Sequence, residues 1–231
     1  MTCSTLGILM LDTRFPRIEG DIGNPATFAF PVAYRTVAGA SPKRVVLSPD
    51  ASLLDPFVAA GRALIDDGAT ALTTSCGFLV LFQRELQRAL PVPVWTSSLL
   101  LVAELDAERA SGGTTGVVTV DAASLTAAHL AAARAPADTP VEGLAEDSGF
   151  RRTLLDDEAG LDIEAARADT VAAALRLVAR RPDVARIVLE RTNMPPYARA
   201  VTAATGRPVH DITTLLAARW HALQPHRKIS P

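Results

Sequence analysis

Thr73-Thr74-Ser75-Cys76-Gly77-Phe78, followed after a helix-like run by Pro93-Val94-Trp95-Thr96-Ser97-Ser98-Leu99-Leu100, returns later in the chain in altered form. The second copy reads Leu189-Glu190-Arg191-Thr192-Asn193-Met194, then Pro208-Val209-His210-Asp211-Ile212-Thr213-Thr214-Leu215. Position 76 falls on 191, 93 on 208 and 100 on 215, a constant offset of 115 in a chain of 231 residues. Identities between the copies are modest (Arg84/Arg199, Pro93/Pro208, Val94/Val209, Leu100/Leu215). The order of features carries the repeat: strand, polar turn, helix, Pro-Val strand, hydroxyl residue, Leu-rich helix. A period of half the chain predicts repeated architecture, here two similar lobes related by a pseudo-twofold axis. That axis sets two strand-end loops face to face across a cleft. One offers the Cys76 thiol, the other the Arg191 guanidinium.

Outward from the repeat, short β-rich runs alternate with longer Ala/Leu/Arg runs. Strands are expected at Leu6–Leu11, Arg44–Ser48, Ala71–Thr74, Val92–Thr96, Gly116–Val120, Pro140–Gly143, Ala185–Leu189 and Pro208–Ile212. Helices are expected at Leu53–Asp67, Leu79–Leu90, Leu99–Arg109, Ala122–Ala135, Ile163–Arg180, Tyr197–Thr205 and Thr214–Leu223. This alternation predicts an α/β fold, each lobe a mostly parallel sheet flanked by helices. Residues 1–112 make the first lobe and 113–231 the second, with Ser111-Gly112-Gly113-Thr114 as linker and the last helix free to pack back on the first lobe. Thr13–Ala40, rich in Gly and Pro, reads as a long loop of the kind that lines active sites.

Composition narrows the function. The net charge is −2, and no basic block or aromatic-basic interleaving points to nucleic acid. No apolar run approaches the ~18 residues of a membrane span. The first residues lack a basic region ahead of Leu6–Leu11, unlike a secretory signal. Two distant cysteines, Cys3 and Cys76, make no disulfide framework, which favours a reducing cytoplasm. The histidines at 129, 210, 221 and 226 lack metal-ligand spacing, so no metal is expected. Homo-oligomerisation is left open.

In open α/β sheets ligands sit beyond the carboxyl ends of the strands. That rule selects Asp12–Asn24, Ser48, Thr74–Gly77, Ser97–Ser98, Thr119–Asp121, Arg191–Asn193 and Thr213–Thr214. Hydroxyls, amides and helix-start N–H groups of this kind suit a small carboxylate. There is no GxGxxG and no Walker loop.

Gly20-Asp21-Ile22-Gly23-Asn24-Pro25, Thr74-Ser75-Cys76-Gly77 and Leu189-Glu190-Arg191-Thr192-Asn193-Met194-Pro195-Pro196 resemble the aspartate/glutamate/hydantoin racemase superfamily, in order and over nearly the whole chain. The resemblance implies two α/β lobes with the site between them and no pyridoxal phosphate or other cofactor. It also implies proton transfer by one cysteine in each lobe, beside a developing enediolate. Cys76 matches the first of those cysteines. Arg191 stands where the second belongs, in a motif that commonly reads Glu-Cys-Thr-Asn. Arginine has no acceptor and cannot be a general base. A two-thiol racemase is therefore not expected. Arylmalonate decarboxylases, a branch with a single catalytic cysteine, make one-thiol chemistry plausible, although their cysteine lies in the other lobe.

The expectation is a cofactor-independent enzyme that forms a carbanion or enediolate beside a substrate carboxylate. Cys76 handles the proton and Arg191 binds the anion. A strand-to-helix position and a nearby guanidinium are both expected to depress the thiol pKa. Asn24, Thr74, Ser75, Gly77, Thr119, Thr192 and Asn193 are the candidate substrate contacts, and His210 is a candidate acid. Each has an ordinary alternative: turn or cap chemistry for the polar residues, and for Arg191 a lobe-closing ion pair with Glu190 or Asp12. A single-cysteine lyase or decarboxylase, a covalent cysteine hydrolase, and a non-catalytic carboxylate-binding protein remain as alternatives.

Overall fold

The structure, a computed structural model, describes residues 4–47, 50–108 and 112–223, with the Leu47 side chain also outside the description. The first lobe runs β1 (Thr5–Leu11), β2 (Val32–Val37), α1 (Leu54–Asp66), β3 (Ala69–Thr74), α2 (Gln83–Ala89), β4 (Val94–Trp95) and α3 (Leu100–Ala107). The second runs β5 (Thr114–Thr119), α4 (Ala127–Ala132), β6 (Val141–Gly143), α5 (Gly149–Leu155), α6 (Ile163–Arg180), β7 (Val184–Leu189), α7 (Ala198–Thr205), β8 (Val209–His210) and α8 (Ile212–Leu223). Strand order is β2-β1-β3-β4 in one sheet and β6-β5-β7-β8 in the other, the same topology twice. Every pairing is parallel. β7 follows β3, and β8 follows β4, by the 115 residues read from the sequence, whereas β5 follows β1 by only 109.

Strand composition explains the layering. Leu6, Ile8 and Leu9 of β1, Val117 and Val118 of β5, and Ile187, Val188 and Leu189 of β7 are all fully buried. These runs do not alternate, as expected of strands covered on both faces. The helices cover them through apolar stripes, Phe57 and Leu64 on α1 and Ala166, Ala173, Ala174 and Leu177 on α6. Their starts are capped. Asp162 accepts from the Ala165 N–H, and Asp211 Oδ1 accepts from the N–H groups of Thr213 and Thr214 at the head of α8.

Two expectations are corrected. Arg44–Ser48 is not a strand: Lys43–Leu47 is a π-helical turn with Val45 and Val46 buried, and Ser48 lies outside the described residues. A short apolar run has no periodicity to separate a strand from a buried helical turn. The missing edge strand is β2, inside the segment read as loop. Its mixed burial and its position between Pro31 and Gly39 hid a β-rich Val-Ala-Tyr-Arg-Thr-Val run. The linker and the tail from residue 224 fall partly or wholly outside the described residues.

The lobes are joined at the strand ends. Thr192 Oγ1 donates to the Ser75 carbonyl at 2.6 Å, and Ser98 Oγ to the Leu189 carbonyl at 2.8 Å. The long loop after β1 crosses over: Ile22 N–H donates to the Thr192 carbonyl, and Asn193 Nδ2 donates to Asp21 Oδ2 at 2.5 Å. α8 returns to the first lobe, where Trp220 stacks on Phe30 at 4.8 Å and Arg219 pairs with Glu104. Among the described residues, no helix is long and apolar enough to cross a membrane.

Candidate active site

Cys76 follows β3 in extended conformation (φ −149°, ψ 119°) and leads into a 3-10 segment, Gly77–Phe82, that continues as α2. Arg191 follows β7 at the corresponding point of the second lobe. Across the lobe junction Arg191 Nη1 donates to Cys76 Sγ at 3.3 Å. Both residues are buried, at 0% and 2% exposure. The guanidinium Nε has no partner. Among the described residues Arg191 forms no ion pair, so the proposed bridges to Glu190 or Asp12 are absent. A buried guanidinium whose side-chain partner is one sulfur atom has donors left for an incoming anion.

The expected depression of the thiol pKa does not survive burial. Removal from water pushes Cys76 up; Arg191 and, more weakly, Arg17 oppose this, while Glu190 adds to the rise. Arg17 belongs to the long loop, where it pairs with Asp21 at 3.0 Å and lies over the Phe15 ring at 4.5 Å.

The candidate contacts are largely committed to the protein itself. Thr74 Oγ1 donates to the carbonyls of Cys76 and Thr96, and Ser75 Oγ accepts from the Leu11 N–H. Thr119 Oγ1 donates to Glu190 Oε2 at 2.7 Å. Thr192 and Asn193 make the lobe-crossing bonds described above. Asn24 caps the 3-10 turn at Pro25, accepting from the Ala26 N–H, and its Nδ2 donates to the Arg17 carbonyl. These side chains shape the two loops and position Cys76 and Arg191. No acceptor among the described residues takes the backbone N–H groups of Thr192 or Asn193, which leaves donors beside Arg191.

His210 is not brought to the pair. It lies half-buried on β8, where burial lowers its pKa and its charged neighbours are Asp211, Arg186 and Glu108. Its register on the sheet edge, opposite Val188, explains the separation. Two buried polar groups went unnoticed as candidates. His129 of α4 has its ring 4.7 Å from Phe78, edge-on, with Nε2 unpartnered. Glu190 is fully buried with Oε1 unpartnered, and its sequence signal is the glutamate it shares with the Glu-Cys-Thr-Asn motif. No group of three or more metal-ligating side chains is gathered among the described residues.

No protein-family model matches the chain. Its structure is similar to unliganded arylmalonate decarboxylase (TM-score 0.61, 17% identity, 95% of this chain and 91% of that one). It is also similar to glutamate racemase from Aquifex pyrophilus (TM-score 0.58, 13% identity, 96% and 84%). At those identities the likeness shows the fold, the two-lobe architecture of the Asp/Glu racemases. Sequence relatives say more. A dimethylsulfoniopropionate lyase of Durusdinium sp. clade D is 30% identical over 218 residues, 90% of this chain and 71% of that protein. Two such lyases of Emiliania huxleyi are each 29% identical, over 91% of this chain but only 64% and 57% of their own length. With alignment over nine-tenths of its length, the chain belongs to the family of the dimethylsulfoniopropionate lyases, built on the racemase two-lobe fold.

Proposed function

We propose that the protein is a cofactor-independent lyase that cleaves dimethylsulfoniopropionate, or a close 3-sulfonio carboxylate, by β-elimination. The observation that carries this reading is the buried Cys76–Arg191 contact of 3.3 Å across the lobe junction. Racemisation needs a proton taken from one face and returned on the other, hence two groups that gain and lose protons. Elimination needs only the first half. The Cys76 thiolate takes the Cα proton, the electron pair left on Cα forms the C=C bond, and the Cβ–S bond breaks. Dimethyl sulfide leaves with that bond pair, and acrylate remains.

Arg191 suits the other requirement. A Cα–H beside a carboxylate is a weak acid because deprotonation places further negative charge on the carboxylate oxygens. The buried Arg191 guanidinium, followed directly in the chain by the Thr192 and Asn193 N–H groups, is a preorganised donor set for that charge. The substitution that argues against a two-thiol racemase is therefore compatible with a lyase. Closure also fits: burial of the pair excludes water from a carbanion that water would reprotonate.

The test is incubation of the full chain with dimethylsulfoniopropionate, measuring dimethyl sulfide by headspace gas chromatography and acrylate by liquid chromatography. Aspartate, hydantoins and an arylmalonate serve as parallel substrates. Stoichiometric sulfide and acrylate, abolished in folded Cys76→Ser, is the expected result. Decarboxylation of the arylmalonate or racemisation of aspartate with no sulfide release would overturn the reading.

A further inference from the structure

The segment between β1 and β2 breaks the pseudo-twofold symmetry. In the second lobe the β5–β6 connection folds as α4; in the first lobe its counterpart, residues 12–31, is a loop with a 3-10 turn at Pro25–Thr27. Gly20-Asp21-Ile22-Gly23-Asn24 forms the centre of that loop. Gly20 has φ 96°, and an ideal Cβ there would fall 3.1 Å from Pro196 Cα of the second lobe. A left-handed turn pressed this close to another backbone favours glycine. Asp21 is 2% exposed, and its carboxylate takes three donors: Arg17 Nη1 at 3.0 Å, the Gly23 N–H at 2.7 Å and Asn193 Nδ2 at 2.5 Å. Thr27 Oγ1 and the Asn24 N–H both donate to the Asp21 carbonyl. The residue is fixed by its own loop before it meets the second lobe.

Asn193 stands two residues after Arg191, in a turn closed by the Met194 N–H donating to the Arg191 carbonyl at 3.0 Å. The Arg191 side chain has a single contact, with Cys76 Sγ. Its placement therefore depends on the residues that follow it, and those are held from the first lobe: Thr192 by the Ser75 carbonyl and the Ile22 N–H, Asn193 by Asp21. We infer that Asp21 is a positioning residue of the site, acting through Asn193 to fix the turn that carries Arg191 and the Thr192 and Asn193 N–H groups. The inference rests on the elimination reading for the use made of those donors.

The chemistry of the contact suits the task. A hydrogen bond to a charged acceptor is about twice as strong as a neutral one. Arg17, with a side chain 13% exposed, supplies the countercharge. It is itself held by Thr13 Oγ1 at 2.9 Å, by Asn24 Nδ2 at its carbonyl and by the Phe15 ring at 4.5 Å. Two of the three donors on the Asp21 carboxylate thus belong to its own loop, and Asn193 is the one from the second lobe. Donors aimed at developing charge lose their effect steeply with displacement; a shift of about 1 Å costs about 100-fold in rate. The anion-binding half of this site is set by contacts from the opposite lobe, so it is assembled only when the loop is docked.

Two measurements on the full chain test the inference, with Asp21→Ala, Asn193→Leu and Asp21→Asn. The last keeps an oxygen for Arg17 and Gly23, and its amide meets Asn193 once the Asn193 amide turns over. The first measurement is hydrogen exchange by mass spectrometry on the unliganded protein. Exchange in residues 190–197 is expected to rise about 10-fold or more in Asp21→Ala and Asn193→Leu, while β1, β5 and β7 keep their wild-type rates. Unchanged exchange at 190–197, or an equal rise in every strand, overturns the assignment. The second is the kinetics of sulfide release. In both variants kcat is expected to fall about 10- to 100-fold with KM within about threefold, and Asp21→Asn should recover about tenfold over Asp21→Ala. A folded Asp21→Ala with kcat within about twofold of wild type, or an Asp21→Asn no faster than Asp21→Ala, overturns it. If Asp21→Ala fails to fold, Asn193→Leu, which leaves the Arg17–Asp21 pair intact, decides by the same two readouts. If wild type releases no sulfide, the lyase reading falls alone, because the exchange measurement needs no substrate and decides by itself.

Discussion

Replacing Arg191 by Met should stabilise the protein and abolish its activity. In the unliganded structure the guanidinium is 2% exposed, holds only Cys76 Sγ at 3.3 Å by its side chain, and leaves Nε unpartnered. A charge buried with so little compensation opposes folding. Exchanging buried ionic groups for apolar ones of similar volume gains about 1–4 kcal/mol elsewhere. The lost sulfur contact offsets part of that here, leaving about 1–3 kcal/mol. For a chain of this size each kcal/mol moves Tm by about 2–4 °C, so a rise of about 2–12 °C is expected by circular dichroism. Glu190 loses its opposing cation in the variant and takes up a proton more readily, which limits the penalty on its side. Activity moves the other way. Loss of a buried charge-assisted partner for a carboxylate costs about 3–5 kcal/mol, or about 100- to 4,000-fold in kcat/KM. A folded Arg191→Met protein with lowered Tm would show that the guanidinium is well compensated before substrate arrives. One retaining kcat/KM within a factor of about 3 would remove Arg191 from substrate binding.

Gly77→Ala sets a methyl group against both the carboxyl and the backbone oxygen of Glu190, and the backbone cannot swing aside. A loss of about 2–3 kcal/mol in urea unfolding is expected, together with loss of turnover; a loss under about 0.5 kcal/mol would mean that the lobe junction is loose. His129 is pushed down to about 4 by burial, while its unfolded value is near 6.5. Its folded pKa lies below the unfolded one, so the unfolded chain binds the extra proton first, and stability falls as pH drops from about 6.5 towards 4. His129→Gln should flatten that decline in Tm against pH, and an unchanged slope would place the acid sensitivity elsewhere.

The architecture was legible because a duplicated fold writes itself twice. β3 and β7, and β4 and β8, keep the 115-residue offset, and both carry buried Thr- or Val-rich runs ending in polar loops. The first half of each lobe was less legible. There the offset falls to 109, and edge strand β2, half exposed and set among Gly and Pro, lacks the apolar run that marks a buried strand. Asp157 accepts from the Arg14 backbone N–H at 2.6 Å and ties the long loop to the second lobe. No local pattern encodes a contact between residues 143 apart.

The site divides along the same line. Cys76 and Arg191 could be paired from the repeat alone, because the offset that aligns them also places them across the junction. The hydroxyl residues Thr74, Ser75 and Thr192 lie in the loops that carry Cys76 and Arg191, yet their side chains bond to the protein. Strand-end position specifies neighbourhood; the direction of a side chain depends on which backbone carbonyl is nearest, and that is a tertiary fact. Glu190 was visible in the motif, but its burial was not, because a carboxylate at the end of an apolar strand looks exposed until Gly77 is seen to leave it room. The repeat contained that information as a mismatch, Gly against Thr and Glu against Ser, at two positions that meet across the junction. In a duplicated fold the departures from symmetry are where the two halves must differ chemically. Positions 75–77 and 190–192 hold three such departures in a row: Ser to Glu, Cys to Arg and Gly to Thr. Together they place one thiol, one carboxyl and one guanidinium at a junction that a faithful duplication would have made the same on both sides.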